Sequence, residues 1–565
     1  MSWIFGYFGN RDRLQINSPE TPIHTFQDLN LILFAGGYNE TLFFKSDSLN
    51  SNCWTIAGVG LKKSSDGYII LNESNWNNYL SPEKVNLGSV NGHFVAVKYA
   101  DDELKFFTDE LGLREIYIVE LSEGFGFSTR IDWLKYFINP ELDLNEFGSR
   151  WLLQNQISRN SIIRDVKRLV CTNATIRNNT LSIEQNLWQP DFEIPGSREI
   201  FDATLKKLLS VDGRKISLSL SGGLDSRFLL SYLAIKNSNL WETHTFGDPN
   251  HPDSKIAYEL LSGLKLKHET IDDELPLKDK LIELIKSYAF QSIVTNPISS
   301  ILNLRFYDRL ASQNKIIIDG GFGEIWRREF ANRLLLIGRK ALLNKDSKAV
   351  AGFLRYNRAN IFSDEVLVEM EKGMIEQLNN LFEEMPEANQ ITPSKWIDLF
   401  SIRSRLTNYY APEQARIDQY VLSFMPLVQK DMLKLLFGFN HADKKNGKLF
   451  KELIRQNSIQ LTKHLLVKGS IVHPFNSSSL SARLHSRIKN LFSINYQSKQ
   501  PDELFNSLKE FINDLIRSSV VRNCDLYDQR KVERIANDFS RNEMGFNFEM
   551  DWFLSFELFR QGISK

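Results

Sequence analysis

The sequence predicts an α/β protein in two parts: a strand-rich first part, then a doubly wound parallel sheet that runs into a helical C-terminal stretch. Three observations predict this. The first 190 residues carry short β-branched or aromatic runs set off by glycine and asparagine. From residue 198 to about 320, short apolar runs alternate with helical spacing, as in a parallel sheet with crossover helices. From residue 342 to 560 the spacing is helical almost throughout. With 565 residues the chain is too long for one compact core. Two domains are expected, 1–190 and 195–565, with the linker in the aperiodic, proline-bearing residues 186–197.

In the first part, residues 3–8, 30–34 and 41–44 read as strands. Residues 94–99 and 104–108 flank Ala100-Asp101-Asp102-Glu103, a hairpin turn. Residues 115–121 and 125–129 flank Ser122-Glu123-Gly124 in the same way, and 174–178 and 180–183 close on an asparagine turn. In the second part, the spacing predicts a helix at 198–209, a strand at 216–220 and a helix from 227 to 233. A strand at 242–246, a helix at 254–264 and a strand at 267–271 follow. Helices at 279–290 and 298–312 then lead to a strand at 315–318. Ligands of such sheets bind beyond the carboxyl ends of the strands, so the loops after Leu220, Phe246 and Ile318 are the candidate site. The serine- and arginine-rich residues 477–489 read as a mobile loop. The aromatic-dense residues 546–559 read as a core helix.

The most informative loop is Ser221-Gly222-Gly223-Leu224-Asp225-Ser226. A strand that enters a glycine-rich turn and then a helix presents unpaired backbone N–H groups where the dipole favours an anion. The glycines allow a phosphate to approach closely, Ser221 and Ser226 add hydroxyl donors, and Asp225 suits a magnesium ion. The lysine of an ATP-hydrolysing P-loop is absent, so this is a different phosphate loop.

Composition excludes several classes. Basic and acidic residues balance at 69 each, which points away from nucleic acid and acidic membrane surfaces. Three cysteines, Cys53, Cys171 and Cys524, lie far apart with no CxxC, so a disulfide framework or zinc site is not expected. The N-terminal residues lack a secretory pattern, and no apolar run approaches a membrane span. A cytoplasmic location is expected.

Taken together, these motifs resemble the glutamine-dependent asparagine synthetase family. SGGLDS resembles its pyrophosphate loop. Residues 1–8, MSWIFGYF, resemble its MCxIFGxF start. Residues 92–97 and 108–117 resemble motifs of its amidotransferase domain, and Phe127-Ser128-Thr129-Arg130 sits at its FASExKAL segment. Thr245-Phe246-Gly247 with Pro252-Asp253 resembles its adenine-lining segment, residues 319–324 its SGEGxDE loop, and Asn446-Gly447-Lys448 with Arg455 its NGK…LR helix. Leu526-Tyr527-Asp528 and the last helix resemble its C-terminal end. The resemblance implies an N-terminal α+β sandwich of the N-terminal-nucleophile hydrolase type, followed by an ATP-pyrophosphatase domain. It implies ATP and Mg2+ as cofactors. Ser221, Gly222, Gly223, Asp225, Ser226, Phe246 and Gly247 would bind the nucleotide, and Asp225 and Glu324 the metal. Glu324 and Lys468 are the implied catalytic residues, with Tyr409, Tyr410 and Glu413 as further candidates for proton transfer.

Four departures shape the functional expectation. The family's nucleophilic cysteine is Ser2 here, a far weaker nucleophile. Its glutamine-binding NGEIYN segment has no counterpart around residues 38–40. Gly321 replaces the acidic residue of SGEGxDE, and residues 424–429, FMPLVQ, lack the arginine and aspartate of EARxPFLD. These departures resemble the lasso peptide cyclase and β-lactam synthetase branch. They imply a glutamine-independent ligase that adenylates a carboxylate and closes an amide on it. The expected partners are a small-molecule or peptide substrate bearing a carboxylate and an amine, and a biosynthetic partner protein such as a leader peptidase. The alternatives are an asparagine synthetase fed by ammonia or by Ser2, another ATP-pyrophosphatase chemistry on tRNA, and a non-catalytic scaffold.

Overall fold

A computed structural model describes residues 2–10, 16–47, 51–211, 214–236, 240–264, 266–272, 274–304, 306–311, 313, 315–468, 471–477, 499–541 and 545–564. Of the residues expected to form a mobile loop at 477–489, all but Ser477 lie outside these.

Among the described residues the first part contains thirteen strands: β1 (Trp3–Gly9), β2 (His24–Gln27), β3 (Leu31–Gly36), β4 (Leu42–Asp47), β5 (Asn52–Lys63), β6 (Tyr68–Ile70), β7 (Asn91–Ala100), β8 (Glu103–Thr108), β9 (Ile116–Leu121), β10 (Gly124–Ser128), β11 (Val166–Leu169), β12 (Thr172–Arg177) and β13 (Thr180–Gln185). They build two antiparallel sheets, in the orders β11-β9-β10-β1-β3-β2 and β13-β12-β8-β7-β5-β4, with β6 beside β5. Alternate side chains of both sheets meet between them, among them Ile4, Leu33, Ala57, Val95, Phe106 and Phe127. The outer faces are covered too. Trp54, Ile56 and Phe94 lie under Trp76 and Leu80 of the helix Glu73–Leu80. Trp3, Phe5 and Phe34 meet Trp133 on the opposite side. Two of the predicted hairpins turn on pairs of residues with positive φ, Asp101-Asp102 and Asn178-Asn179, the backbone that a two-residue turn matched to strand twist requires.

The second part holds a five-stranded parallel sheet of β14 (Ile216–Ser219), β15 (Trp241–Phe246), β16 (Lys267–Ile271), β17 (Ile316–Ile318) and β18 (Leu422–Phe424). Its order is β16-β15-β14-β17-β18. The chain winds outward from β14 to β16, then returns to the other side of β14. The crevice between β14 and β17 is therefore the switch point, where ligands bind in open sheets of this kind.

One expectation, the helix at 298–312, is corrected. β18 lies within the stretch expected to be mostly helical, as do β19 (Leu466–Lys468) and β20 (Ile471–His473), which pair as a hairpin. The single helix expected at 298–312 is a 3-10 turn, Ile298–Asn303, and a short helix, Tyr307–Ala311. Between them Phe306 turns inward to stack on Phe246 at 5.3 Å. The first part also carries a helix at Leu144–Leu152, which packs on the long helix Asp364–Glu384. The final helix, Phe548–Ile563, is buried along most of its length, as expected. One hydrophobic cluster runs from Leu61, Tyr68 and Leu111 to Leu220, Phe228 and Trp326, so the two sheet systems share a core. No helix among the described residues is long and apolar enough to cross a membrane.

Candidate active site

β14 ends at Ser219, and residues 221–223 turn into the helix Leu224–Lys236. The Cβ of any other residue at 222 would lie 2.4 Å from a methyl of Val467, so only glycine lets β19 sit against the loop. The Val467 N–H donates to the Gly222 carbonyl at 2.9 Å and ties the two together. The buried Arg227 reinforces this by donating to the carbonyls of Gly222, Leu461 and His464.

The loop amides differ from the sequence expectation of an open phosphate cradle. The Ser221 N–H donates to Ser226 Oγ at 3.1 Å, and the Gly223 N–H donates to Ser221 Oγ at 3.2 Å. The Gly222 N–H donates to Asp253 Oδ1 at 2.9 Å. All three donors are met by the protein's own side chains, and Asp253 stands where an anion would sit. Burial pushes the Asp253 carboxyl above its ordinary range, against the pull of His251. The charged form of the group on the Gly222 amide is therefore held at a disadvantage.

A line of alternating charge leads outward from the loop. Arg327 grips Asp225 with Nε 2.6 Å from Oδ1 and Nη2 donating to Oδ2 at 2.8 Å. Its Nη1 lies 2.9 Å from Glu329, and Lys468 Nζ lies 2.9 Å from the same Glu329 oxygen. Side-chain exposure rises from 18% at Asp225 and 17% at Arg327 to 29% at Glu329 and 61% at Lys468, so the line runs from crevice to surface. Burial pushes the Asp225 carboxyl up to about 6 against the opposing charge of Arg327. Glu329 sits lower than an ordinary carboxyl, because Arg327 and Lys468 together outweigh its burial.

Glu324 opens the short helix Gly323–Trp326 after β17. It accepts from Arg405 Nε at 2.8 Å and from the Tyr410 hydroxyl at 2.6 Å. Both partners come from a ten-residue π-helix, Ser401–Tyr410. In an α-helix, at 3.6 residues per turn, positions five apart stand roughly 140° apart. The wider π-turn brings positions 405 and 410 to one face, so both reach one carboxylate. Arg405 also lies over the rings of Tyr409 at 4.2 Å and Phe330 at 4.8 Å.

The two carboxylates implied as magnesium ligands are thus adjacent to the loop, and each is engaged by an arginine. Asp225 Oδ1 is buried and receives no well-aligned N–H, despite the nearness of Arg327 Nε. Carboxylate oxygens of this kind are the donor type a hard cation takes. Among the described residues no group of three or more His, Cys, Asp or Glu side chains gathers to complete a metal cage.

Beside the loop lies a cavity of about 420 Å3, lined by Ser221, Phe246, Gly247, Asp253, Asn303 and Gln500 among others. Its size and its mixed polar and aromatic walls suit a small organic ligand. Phe246 forms one wall, stacked on Phe306 and edge-on to Tyr307. Gly247, at φ +90°, takes the backbone conformation glycine favours. Gly321 has no room for a side chain, because its Cβ would meet Met425 Sδ at 2.4 Å. The methionine of residues 424–429 therefore fills the space that an acidic side chain would need. Of the further candidates, Tyr410 bonds Glu324 and Tyr409 underlies Arg405. The charge of Glu413 adds to the burial that pushes the Asp319 carboxyl up to about 6.

Ser2 lies apart from this site and is fully buried. Arg114 Nη2 donates to the Ser2 carbonyl at 2.8 Å and lies 3.4 Å from its hydroxyl. Asp418, from the second part, lies 3.4 Å from Arg114 and 3.0 Å from His93, and also accepts from Gln414. The cavity beside Arg114, bounded by Thr129, Ile131 and Pro412, measures about 20 Å3. That is room for a water molecule, not an amino acid.

Of the residues the sequence points to, Ser221, Phe246 and Gly247 line this cavity, while Asp225 pairs with Arg327, Glu324 with Arg405 and Lys468 with Glu329. Sequence reasoning missed Arg327, Glu329 and Arg405, whose charges sit in stretches of helical spacing without a local motif. For Asp253 a signal existed, since Pro252-Asp253 opens the helix Pro252–Leu260 directly beside the loop.

No family model matches the chain, and no curated protein matches it. Among solved structures, the chain is similar to one titled the structure of the allosteric regulatory enzyme of purine biosynthesis. The two are 10% identical, and the alignment covers 60% of this chain and 72% of that one at a TM-score of 0.19.

Proposed function

We propose that the protein is an ATP-dependent, AMP-forming ligase that adenylates a substrate carboxylate and joins it to an amine without using glutamine. On this reading the first part is a degenerate amidotransferase-like domain of the N-terminal-nucleophile type, and the second is an asparagine synthetase-like ATP-pyrophosphatase domain. The observation that carries the reading is a juxtaposition: a cavity of about 420 Å3 at the carboxyl ends of β14 and β15, lined by Ser221 of the SGGLDS loop and by Phe246 and Gly247, with Asp225 farther along the same loop.

The chemistry follows from these residues. A substrate carboxylate oxygen attacks the α-phosphorus of ATP, and the bond to the bridging oxygen breaks, releasing pyrophosphate. The amine then attacks the acyl carbon, loses a proton, and AMP leaves with the bonding pair. Ser221, Ser226 and the amides of Gly222 and Gly223, once released from their present partners Asp253 and Ser221, would hold the departing pyrophosphate. Phe246 and Gly247 would wall the adenine. Asp225 and Glu324 would hold magnesium, which neutralises charge on the phosphates when bound. Lys468, joined to the loop through Glu329 and Arg327, would enter the second step.

The buried Ser2 and the cramped cavity at Arg114 support an amine drawn from the substrate rather than from glutamine. A lactam or macrolactam closure, as in lasso peptide cyclases, fits such a substrate. The Met425-filled space at Gly321 supports an acceptor other than aspartate. The test is chromatographic detection of AMP with ATP, magnesium and candidate substrates carrying both a carboxylate and an amine. AMP with a cyclised product is expected. Asparagine from aspartate and ammonia would replace this reading with the synthetase one, and no ATP binding at all would leave only a scaffold.

A further inference from the structure

We propose that Arg327 and Arg405 are the polyphosphate-binding arms of this site, parked on Asp225 and Glu324 until a nucleotide arrives. The proposal rests on the nucleotide reading above and adds to it two binding residues and an order of events.

Four observations carry it. The amides of Ser221, Gly222 and Gly223 already donate to Ser226, Asp253 and Ser221, so these three offer a phosphate no ready donor. Two guanidinium groups lie at the loop and at the turn after β17. Each lies on a carboxylate that ordinarily would serve a cation, Arg327 on Asp225 and Arg405 on Glu324. Planar guanidinium forks match phosphate oxygens bidentately and hold them better than an ammonium does. Arg327 meets Asp225 at two points, Nε 2.6 Å from Oδ1 and Nη2 donating to Oδ2 at 2.8 Å, and Oδ1 receives no aligned N–H. A phosphate, which takes a guanidinium fork in the same bidentate way, competes for that arginine.

The consequence is a swap of partners. In the free protein Asp225, Glu324 and Glu329 are balanced by Arg327, Arg405 and Lys468. A polyphosphate draws the two arginines toward itself and bares Asp225 and Glu324. The divalent cation then binds with the nucleotide or after it, never before. Arg405 is braced for this turn by the rings of Tyr409 and Phe330, and Arg327 keeps Glu329 as an anchor.

The experiment uses the full chain, with Mn2+ binding followed by electron paramagnetic resonance and metal-free ATP binding by calorimetry in chelator. The wild-type protein is expected to bind ATP without metal. It is expected to bind Mn2+ only when ATP is present. Arg327→Gln and Arg405→Gln are each expected to weaken metal-free ATP binding by about tenfold or more, the loss of one charge-assisted contact. Each should also let Mn2+ bind without nucleotide, and Arg327→Lys should recover part of the ATP affinity. Mn2+ binding by the wild type that is equally tight with and without ATP would overturn the proposal. So would unchanged metal-free ATP affinity in both variants. The wild-type titration and Arg405→Gln decide the matter if Arg327→Gln fails to fold. A wild type that binds ATP normally yet fails these tests overturns only the arginine swap. One that binds no ATP in any condition overturns the nucleotide reading as well.

Discussion

Asp109, in the first part, and Asp225, in the second, are both buried, and burial pushes both carboxyls up to about 6. Their surroundings differ. Asp109 accepts from the backbone N–H groups of Leu111, Leu113, Arg114 and Phe94, at 3.0 to 3.4 Å. It knits the turn after β8, and its partners are fixed dipoles that no ligand can exchange. Asp225 is held by one guanidinium side chain, Arg327, at two points. A similar displacement from the ordinary pKa thus marks a structural brace in one region and a poised site in the other. What separates them is the kind of partner: main chain against side chain, closed turn against open crevice. The same contrast holds for the two regions as wholes. Ser2 is fully buried and held by Arg114, whereas Ser221 of the SGGLDS loop lines an open cavity.

The sharpest way to break this comparison is Asp225→Ala. AMP formation is expected to fall by about a thousandfold or more, because the phosphates lose their counter-ion site. The melting temperature should stay near wild type, since Arg327 retains Glu329. A variant that keeps its activity would remove Asp225 from the site. Asp109→Ala should do the reverse. Leaving four buried N–H groups without an acceptor is expected to cost about 3–5 kcal/mol by urea unfolding, with ATP affinity unchanged in the folded fraction.

Acidity offers a third comparison. Both carboxyls bind a proton more tightly in the folded chain than in the unfolded one, where the value is 3.8. Each therefore penalises the fold when ionised, above about pH 6, and the penalty is relieved as pH falls toward the ordinary value. Asp225→Asn should flatten this part of the unfolding profile by on the order of 1–2 kcal/mol. A profile identical to wild type would mean that Asp225 is not held above its ordinary range. The smallest effect is expected at Ser2. In Ser2→Ala, Arg114 keeps its bond to the main-chain carbonyl, and amide formation should stay within about twofold of wild type. A large loss of activity would return Ser2 to the chemistry.

Much of this was legible in the residues. The strands β14 to β17 announced themselves as short apolar runs closed by glycine or aspartate, and their order of appearance implied the parallel sheet. The hairpins at Asp101-Asp102 and Asn178-Asn179 followed from turn chemistry. β5 escaped because it is buried on both faces from Cys53 to Leu61, so it lacks the alternation that marks a half-exposed strand. β18 has only three residues, too few for a pattern. In the site, the loop and its two acids lie in recognisable motifs. The arginines do not: Arg327 and Arg405 become neighbours of Asp225 and Glu324 only through the packing of distant segments. That Asp253 takes the Gly222 amide is likewise a fact of three dimensions.

The π-helix Ser401–Tyr410 has a further consequence, which concerns register. A π-turn is equivalent to one extra residue inserted into an α-helix. Deleting one residue between Arg405 and Tyr410 would leave them four apart, which ordinary α spacing sets on one face. Deleting one residue before Arg405 and restoring α spacing would instead leave them five apart, roughly 140° round the helix, so that they could no longer share Glu324. The contact of this helix with Glu324 is therefore encoded in where its residues are counted as much as in their identities.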